Sequence, residues 1–458
     1  MGMNEMHPNP PVNQSRSPQQ LTPSLHWYHL IALGVGAIVG TGILTLIGVG
    51  AEKAGPAVIL SFIFAGLVCA CAALAYAEMA TLIPKSGGAY TYAHEVLGKP
   101  AAWFVGWSLI LEYSLVVSAV AVGWAGYAAP LCSDWFGLPR QWMQGPELGG
   151  VVNLPAIAII ATIAGLLSLG TRESASFNAL LVLLKMLALL LFIVLAARHF
   201  NSAHLQPFMP YGFVKNLDAQ GVERGTIVAA AIIFFAFYGF DAIATAAEET
   251  HNPERDLAIG IVGSMLICVL IYIAVALAAL GALSYDRFAA SPEPLALLLR
   301  ELGHPQAARF LAASAVIALP TVILAFFYGQ SRIFFAMARD GLLPQSLSRL
   351  SRRGTPLRTT LLTAIIVSSI AGLFPLAEIA ALANAGTLVA FVAVSISMLV
   401  LRKQQPDRTR RFKAPLPWLT GTLAIIGCGY LFISLPQQTQ LYFFTWNLLG
   451  LLVYWRVA

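Results

Sequence analysis

The sequence predicts an all-α, polytopic membrane protein with 12 transmembrane helices. Three observations predict it. Of its 458 residues 58% are hydrophobic and only 10% charged, where a soluble domain carries about 25% charged residues. Apolar segments recur along the chain, each close to the ~20 residues that cross a hydrocarbon core of ~30 Å. None shows strand-like alternation, so the segments are helices and not the strands of an outer-membrane barrel. A mean hydropathy of +0.76 fits the same class. A soluble globular protein and a disordered chain are excluded.

Residues 1–25 are polar, carry a single basic residue (Arg16) and lack an apolar core. They are a flexible tail and not a secretory signal. Twelve spans follow, at 28–48, 56–80, 100–130, 151–170, 175–197, 226–247, 258–283, 307–338, 357–374, 379–401, 416–435 and 441–456. Gly170-Thr171-Arg172-Glu173-Ser174 is the tight turn of a hairpin between spans four and five. With the N-terminus in the cytoplasm, 17 of the 27 Lys and Arg residues fall on the cytoplasmic side and 8 outside. That bias places both termini in the cytoplasm. It also accounts for the formal charge of +6, so no nucleic-acid partner is called for. The five cysteines have neither disulfide nor zinc spacing.

Four places put Gly, polar or ionisable residues at membrane depth. Span one carries Gly34, Gly36, Gly40 and Gly42 within nine residues, each costing a helix about 1 kcal/mol relative to Ala. Two readings are open: close helix packing, or an unwound midpoint whose free N–H groups hold a carboxylate. Span six carries Phe234-Phe235-Ala236-Phe237-Tyr238-Gly239-Phe240-Asp241. Here the alternatives are an aromatic packing cluster with Asp241 as a cap, or a second break whose carbonyls hold an ammonium. Unusual helices at matching positions of two halves point to a transporter site. Lys185 lies about ten residues, or ~15 Å, into span five. At that depth the charged ammonium is disfavoured, which makes Lys185 a candidate reversible proton carrier. The alternative is a structural lysine bonded to broken-helix carbonyls. Glu112, midway in span three, either meets a ligand amine, pairs within a network or packs as a neutral acid. Glu78, Glu248, Glu249, Arg332 and Arg339 fall toward the cytoplasmic ends, where gating salt bridges or helix caps are the natural roles.

Absences narrow the class. All eight histidines lie in the tail, in loops or at span ends, which removes a histidine relay or an intramembrane metal site. There is no Gly-x-x-x-x-Gly-Lys loop, so ATP does not drive the protein. No cofactor is expected.

The chain resembles the amino acid–polyamine–organocation transporter superfamily, and within it the cationic amino acid transporter branch with its bacterial permeases. The likeness rests on Gly34 to Ile43, Tyr76-Ala77-Glu78-Met79, Pro84 to Tyr90, Gly239-Phe240-Asp241 with Glu248-Glu249 and Asn252-Pro253, Arg339 to Pro344, and Asn384 to Leu388. It implies a five-plus-five inverted repeat (a LeuT-like fold) plus two C-terminal helices, with helices 1 and 6 broken. The repeats would be 26–200 and 201–402, and the added helices 403–458. The resemblance places the substrate carboxylate at the backbone of Gly40, Thr41 and Gly42. It places the amino group at carbonyls around Ile38, Phe235, Ala236 and Tyr238, and it marks Glu112 as a branch glutamate. It puts Lys185 where sodium-coupled relatives hold a sodium ion. Asp241 and Glu78 remain gating or network candidates.

The implied function is secondary active amino acid transport across the cytoplasmic membrane by alternating access. Proton symport competes with exchange, with a receptor that scarcely transports, and with an intramembrane hydrolase that lacks a nucleophile–base pair.

Overall fold

The structure, a computed structural model, describes residues 25–85, 87–137, 139–169, 175–344 and 357–457. The expected N-terminal tail up to residue 24 and the turn at 170–174 lie outside them, as do the side chains of Glu248, Arg332 and Arg339. Nearly everything described is helix. A two-stranded hairpin pairing Asn216–Leu217 with Glu223–Arg224 is the one sheet among the described residues.

Among the described residues, eight stretches are long and apolar enough to cross a membrane: Leu46–Leu82, Lys99–Pro130, Phe177–Ala197, Thr226–Thr245, Pro253–Ala282, Pro305–Phe327, Leu376–Gln404 and Pro417–Ser434. Trp27–Ile38, Leu154–Leu169 and Leu357–Leu373 are shorter apolar helices, and Gln437–Val457 closes the chain. The protein is therefore a polytopic helical membrane protein. Span one falls short as a single helix because it is broken. It runs as Trp27–Ile38, Thr41–Leu44 and Leu46–Ala54, then turns at Gly55, whose φ of 63° no helix admits.

The helix ends follow local chemistry. Span three, Lys99–Phe136, has a proline in its first turn and stops at Gly137 in the left-handed region. Outside the bilayer segments, Pro294–Glu301 forms a short helix before span eight. At the other end, Leu25 forms a parallel bridge with Thr250, through Leu25 N to Glu249 O at 2.9 Å and His251 N to Leu25 O at 2.9 Å. This ties the start of span one to the end of span six.

Packing sorts the helices by depth in the bundle. The span-six window is 94% buried and the span-five window 39%. Span five thus shows lipid its exposed Leu180, Leu183 and Leu187, while Lys185 on the opposite side is buried. Span one packs on spans five and seven; span six packs on spans two and ten. Span three packs on span ten, span eight on span five, span three on span eight, and span four on span nine.

Candidate functional site

The two glycine-bearing spans both break, and the breaks touch. Span one stops being helical at Val39 and Gly40 and resumes at Thr41. Span six is helical over Thr226–Ile233, makes one tighter turn at Phe234–Ala236, and resumes at Asp241–Thr245. A Cβ on Gly42 would lie 2.3 Å from the Cα of Ala236. Gly239, at a φ of 120°, would put one 2.9 Å from the carbonyl carbon of Ala37. Glycine is therefore required at both positions by backbone-on-backbone contact. Gly40 differs. Its nearest neighbours in that direction, Ile38 O and Val322 Cγ2, are 3.9 Å away, so its open side faces span eight.

Breaking a helix releases backbone groups that lipid cannot satisfy. Side chains from other spans take them up. Lys185 Nζ donates to Gly36 O at 2.9 Å and Val39 O at 3.0 Å. Tyr272 Oη donates to Ile38 O at 2.8 Å, and Tyr127 Oη to Leu44 O at 2.6 Å. On span six, Asn384 Nδ2 donates to Ala231 O at 2.7 Å and Ile232 O at 2.9 Å. Cys69 Sγ lies 3.6 Å from Phe237 O as a weak donor. Asp241 accepts Gly239 N–H at 3.1 Å and the Tyr113 hydroxyl at 3.0 Å.

Beside this satisfied framework sit polar atoms with no hydrogen-bond partner among the described residues. They include Thr41 Oγ1, Glu112 Oε2 and Tyr238 Oη, all buried. An unpaired buried polar group costs about 1–3 kcal/mol, so each is a place where a ligand atom would be welcome. Aromatic rings close the region. Phe235 meets Tyr238 edge-on at 5.0 Å, Tyr238 meets Phe326 at 6.3 Å, and Tyr113 meets Phe326 at 5.3 Å. Glu112 packs its stem against span ten at Gly386, with Thr387 beside its carboxyl.

The structure brings Ile38, Gly40, Thr41, Gly42, Phe235, Ala236 and Tyr238 together at the two breaks, with Lys185 behind span one. The carbonyl of Ile38 is already used by Tyr272. Any ligand amine there would share it through its second lone pair. Asp241 is a cap and a bridge to span three. Glu78 lies apart, in an ion-pair cluster with Arg402 and Arg410. Sequence reasoning assigned no role to Tyr113, Tyr127, Tyr272 or Asn384. A lone asparagine in an apolar span was the available signal for the last; tyrosines in apolar spans carry a weaker one.

Broken, mutually packed helices with unpartnered hydroxyl and carboxylate oxygens beside the breaks are the arrangement of a secondary transporter site. The sequence profile of the amino acid permease family matches residues 25–455, and the chain belongs to that family, within the amino acid–polyamine–organocation superfamily. It is 43% identical over 436 residues to a branched-chain amino acid permease of Bacillus subtilis, covering 93% of this chain and 91% of that one. It is 39% identical over 446 residues to a methylthioribose transporter of the same organism, covering 96% and 94%. It is 36% identical over 405 residues to the vacuolar cationic amino acid transporter 2 of Arabidopsis thaliana, covering 87% and 62%. The relatives are permeases and transporters, and the chain is a transporter and not an enzyme.

Proposed function

We propose that the protein imports a neutral, apolar amino acid by proton-coupled symport, through alternating access about the two breaks. One observation carries the proton reading: Lys185, buried in span five, holds the carbonyls of Gly36 and Val39 at the break of span one. A charged ammonium makes hydrogen bonds roughly twice as strong as a neutral amine does. Protonated Lys185 therefore holds span one against span five. Loss of the proton to the cytoplasm weakens that grip and lets span one move, which releases substrate inward.

The substrate carboxylate sits at the N–H groups of Gly40, Thr41 and Gly42, which have no intrahelical partner at the start of a helix. The Thr41 hydroxyl adds a donor. The ammonium meets carbonyls around Phe235, Ala236 and Tyr238. The side chain extends from the open face of Gly40 toward Leu319, Val322 and Phe326. Both carboxylate oxygens of Asp241 are engaged, which leaves Glu112 Oε2 as the unpartnered carboxylate oxygen near the site; the open face of Gly40 is lined by apolar groups of Leu319 and Val322 instead. The name of the B. subtilis branched-chain permease agrees with this reading.

The wider architecture is twelve spans, with repeats at 26–200 and 201–402, added helices at 403–458, and both ends in the cytoplasm. The packing supports it: exchanging spans one to five for spans six to ten, position by position, turns the contacts one–seven and one–five into six–two and six–ten, and three–ten into eight–five. The test is uptake of a labelled amino acid panel into proteoliposomes, with and without an inward proton gradient. Gradient-driven accumulation of leucine, isoleucine or valine, abolished by a protonophore, is expected. Uptake that needs unlabelled amino acid inside and ignores the gradient would make the protein an exchanger. Preference for arginine or lysine would return Glu112 to the ligand.

A further inference from the structure

Lys185 has a counterpart. Span five is the fifth helix counted from span one, and span ten the fifth from span six. Span ten carries Asn384, which is 0% exposed. Both hydrogens of its amide go to carbonyls at the end of the Thr226–Ile233 helix, Ala231 O and Ile232 O, where regular helical donors run out. Tyr272 of span seven and Cys69 of span two stand in the same relation, one reaching Ile38 O and the other Phe237 O. The breaks are thus held by matching positions, yet with different chemistry. The amine that holds span one can lose a charge; the carboxamide that holds span six cannot.

We propose that Asn384 is a positioning residue for transport. It fixes the break of span six with a group that does not titrate, so that the aromatic half of the site keeps its geometry while the span-one half is released. Two further facts fit this role. Asn384 Oδ1 is buried without a partner among the described residues, so the residue is not there to complete a closed network. Its two acceptors immediately precede the Phe234–Ala236 turn, which aims the Phe235 and Ala236 backbone. The proposal rests on the transporter reading but not on its proton coupling.

The test uses the full chain in proteoliposomes. Counterflow of labelled leucine is measured at equal pH on both sides, from pH 9 to pH 5.5, for wild type, Asn384→Ala and Asn384→Asp. Each variant is expressed as a ratio to wild type at the same pH, which removes the contribution of Lys185. Asn384→Ala is expected to raise KM about tenfold at every pH, the size of one or two lost hydrogen bonds. Asn384→Asp has no hydrogen to donate when ionised and one when protonated. Its ratio is expected to climb about tenfold as the pH falls, because protonation restores a donor to the same carbonyls. A purely structural lesion would give no such recovery. Wild-type KM in Asn384→Ala would overturn the proposal. So would an Asn384→Asp ratio that stays as flat as that of Asn384→Ala, or loss of folded protein in both variants, since no role in holding the bundle together is assigned to this residue. Absence of gradient-driven uptake in wild type would sink proton symport and leave these ratios unaffected.

Discussion

Two buried polar clusters lie in this molecule, and they are built on opposite rules. Near the end of span two, Glu78 is 0% exposed. It accepts from Arg402 Nε at 2.8 Å, Arg402 Nη2 at 2.5 Å and Ala414 N at 2.8 Å. Arg410 Nε approaches it at 3.2 Å. Arg410 spends its other hydrogens on carbonyls of its own loop, including Arg408 O and Gln405 O, each at 2.9 Å. At mid-bundle, by contrast, Thr41, Glu112 and Tyr238 keep buried oxygens without partners. Buried charge is tolerable where it is paired and hydrogen-bonded; both Glu78 oxygens are bonded, while Arg410 Nε makes its approach as an ion pair without a hydrogen bond. The first cluster therefore clamps spans two and ten to the 405–414 connection. The second leaves polar atoms unpaired where they are most costly, the mark of a site held ready for another molecule.

The largest expected effect comes from breaking the ion-pair cluster. Glu78→Ala strands Arg402 and Arg410 and should cost about 3–5 kcal/mol, read as a lower unfolding midpoint in detergent. The fraction that folds should keep its substrate KM. A stability within 1 kcal/mol of wild type would show that the clamp is dispensable.

Next is Lys185→Ala. Gradient-driven accumulation should vanish, while counterflow at equal pH persists at reduced rate. Full pH-dependent accumulation in this variant would remove Lys185 from the coupling.

The glycines sharpen the contrast at closer range. Gly42→Ala drives a methyl into the Ala236 backbone, 2.3 Å away at its Cα, and should abolish transport by prising the two breaks apart. Gly40→Ala meets nothing closer than 3.9 Å. It should fold normally and raise KM by crowding the ligand. Equal behaviour of the two variants would contradict the open face of Gly40.

Thr41→Val tests the incomplete cluster most directly. Removing an unpaired buried hydroxyl should leave stability unchanged or improve it, while KM rises about fivefold, the scale of one lost hydrogen bond. A marked loss of stability would mean that the hydroxyl has a partner in the empty protein.

The smallest effect lies outside the membrane, in the 216–224 hairpin. Asp218 accepts from Arg224 at 2.5 Å and from the Gln220 and Val222 amides at 2.9 and 2.8 Å. The Arg224 hydrogen bond, then the Val222 amide, holds its carboxyl below the usual range. Because the folded-state value is depressed, the hairpin has its full support above the ordinary carboxylate value of about 4 and loses it as the pH falls further. The protection of the Val222 amide, its exchange rate relative to the intrinsic rate at the same pH, should fall in acid, and in Asp218→Asn at neutral pH.

Much of this was legible in the residues. Four glycines in one apolar span, and Gly239 with Asp241 in another, marked both breaks before any contact was known. Counting residues set Lys185 about halfway along span five, because a helix converts position into distance at a fixed rise, and the structure finds it buried against the break of span one. The role of Asn384 was not legible: its acceptors lie about 150 residues away in the chain. Glu78 read as a gate or cap, and its two arginine partners, Arg402 on span ten and Arg410 in the connection after it, come 324 or more residues later.

The sequence by itself determined that this chain lives in a bilayer, where its helices run and where two of them fail. Those are local properties of composition and spacing. The tertiary structure alone decided which side chain answers which broken carbonyl, which glycine is forced and which is open, and which polar atoms stay unpaired. The physical reason is that helices in lipid are apolar on every side and carry no stripe to name their inward face. Only packing tells Lys185 from Leu183, and only packing brings five separate spans to one pair of breaks.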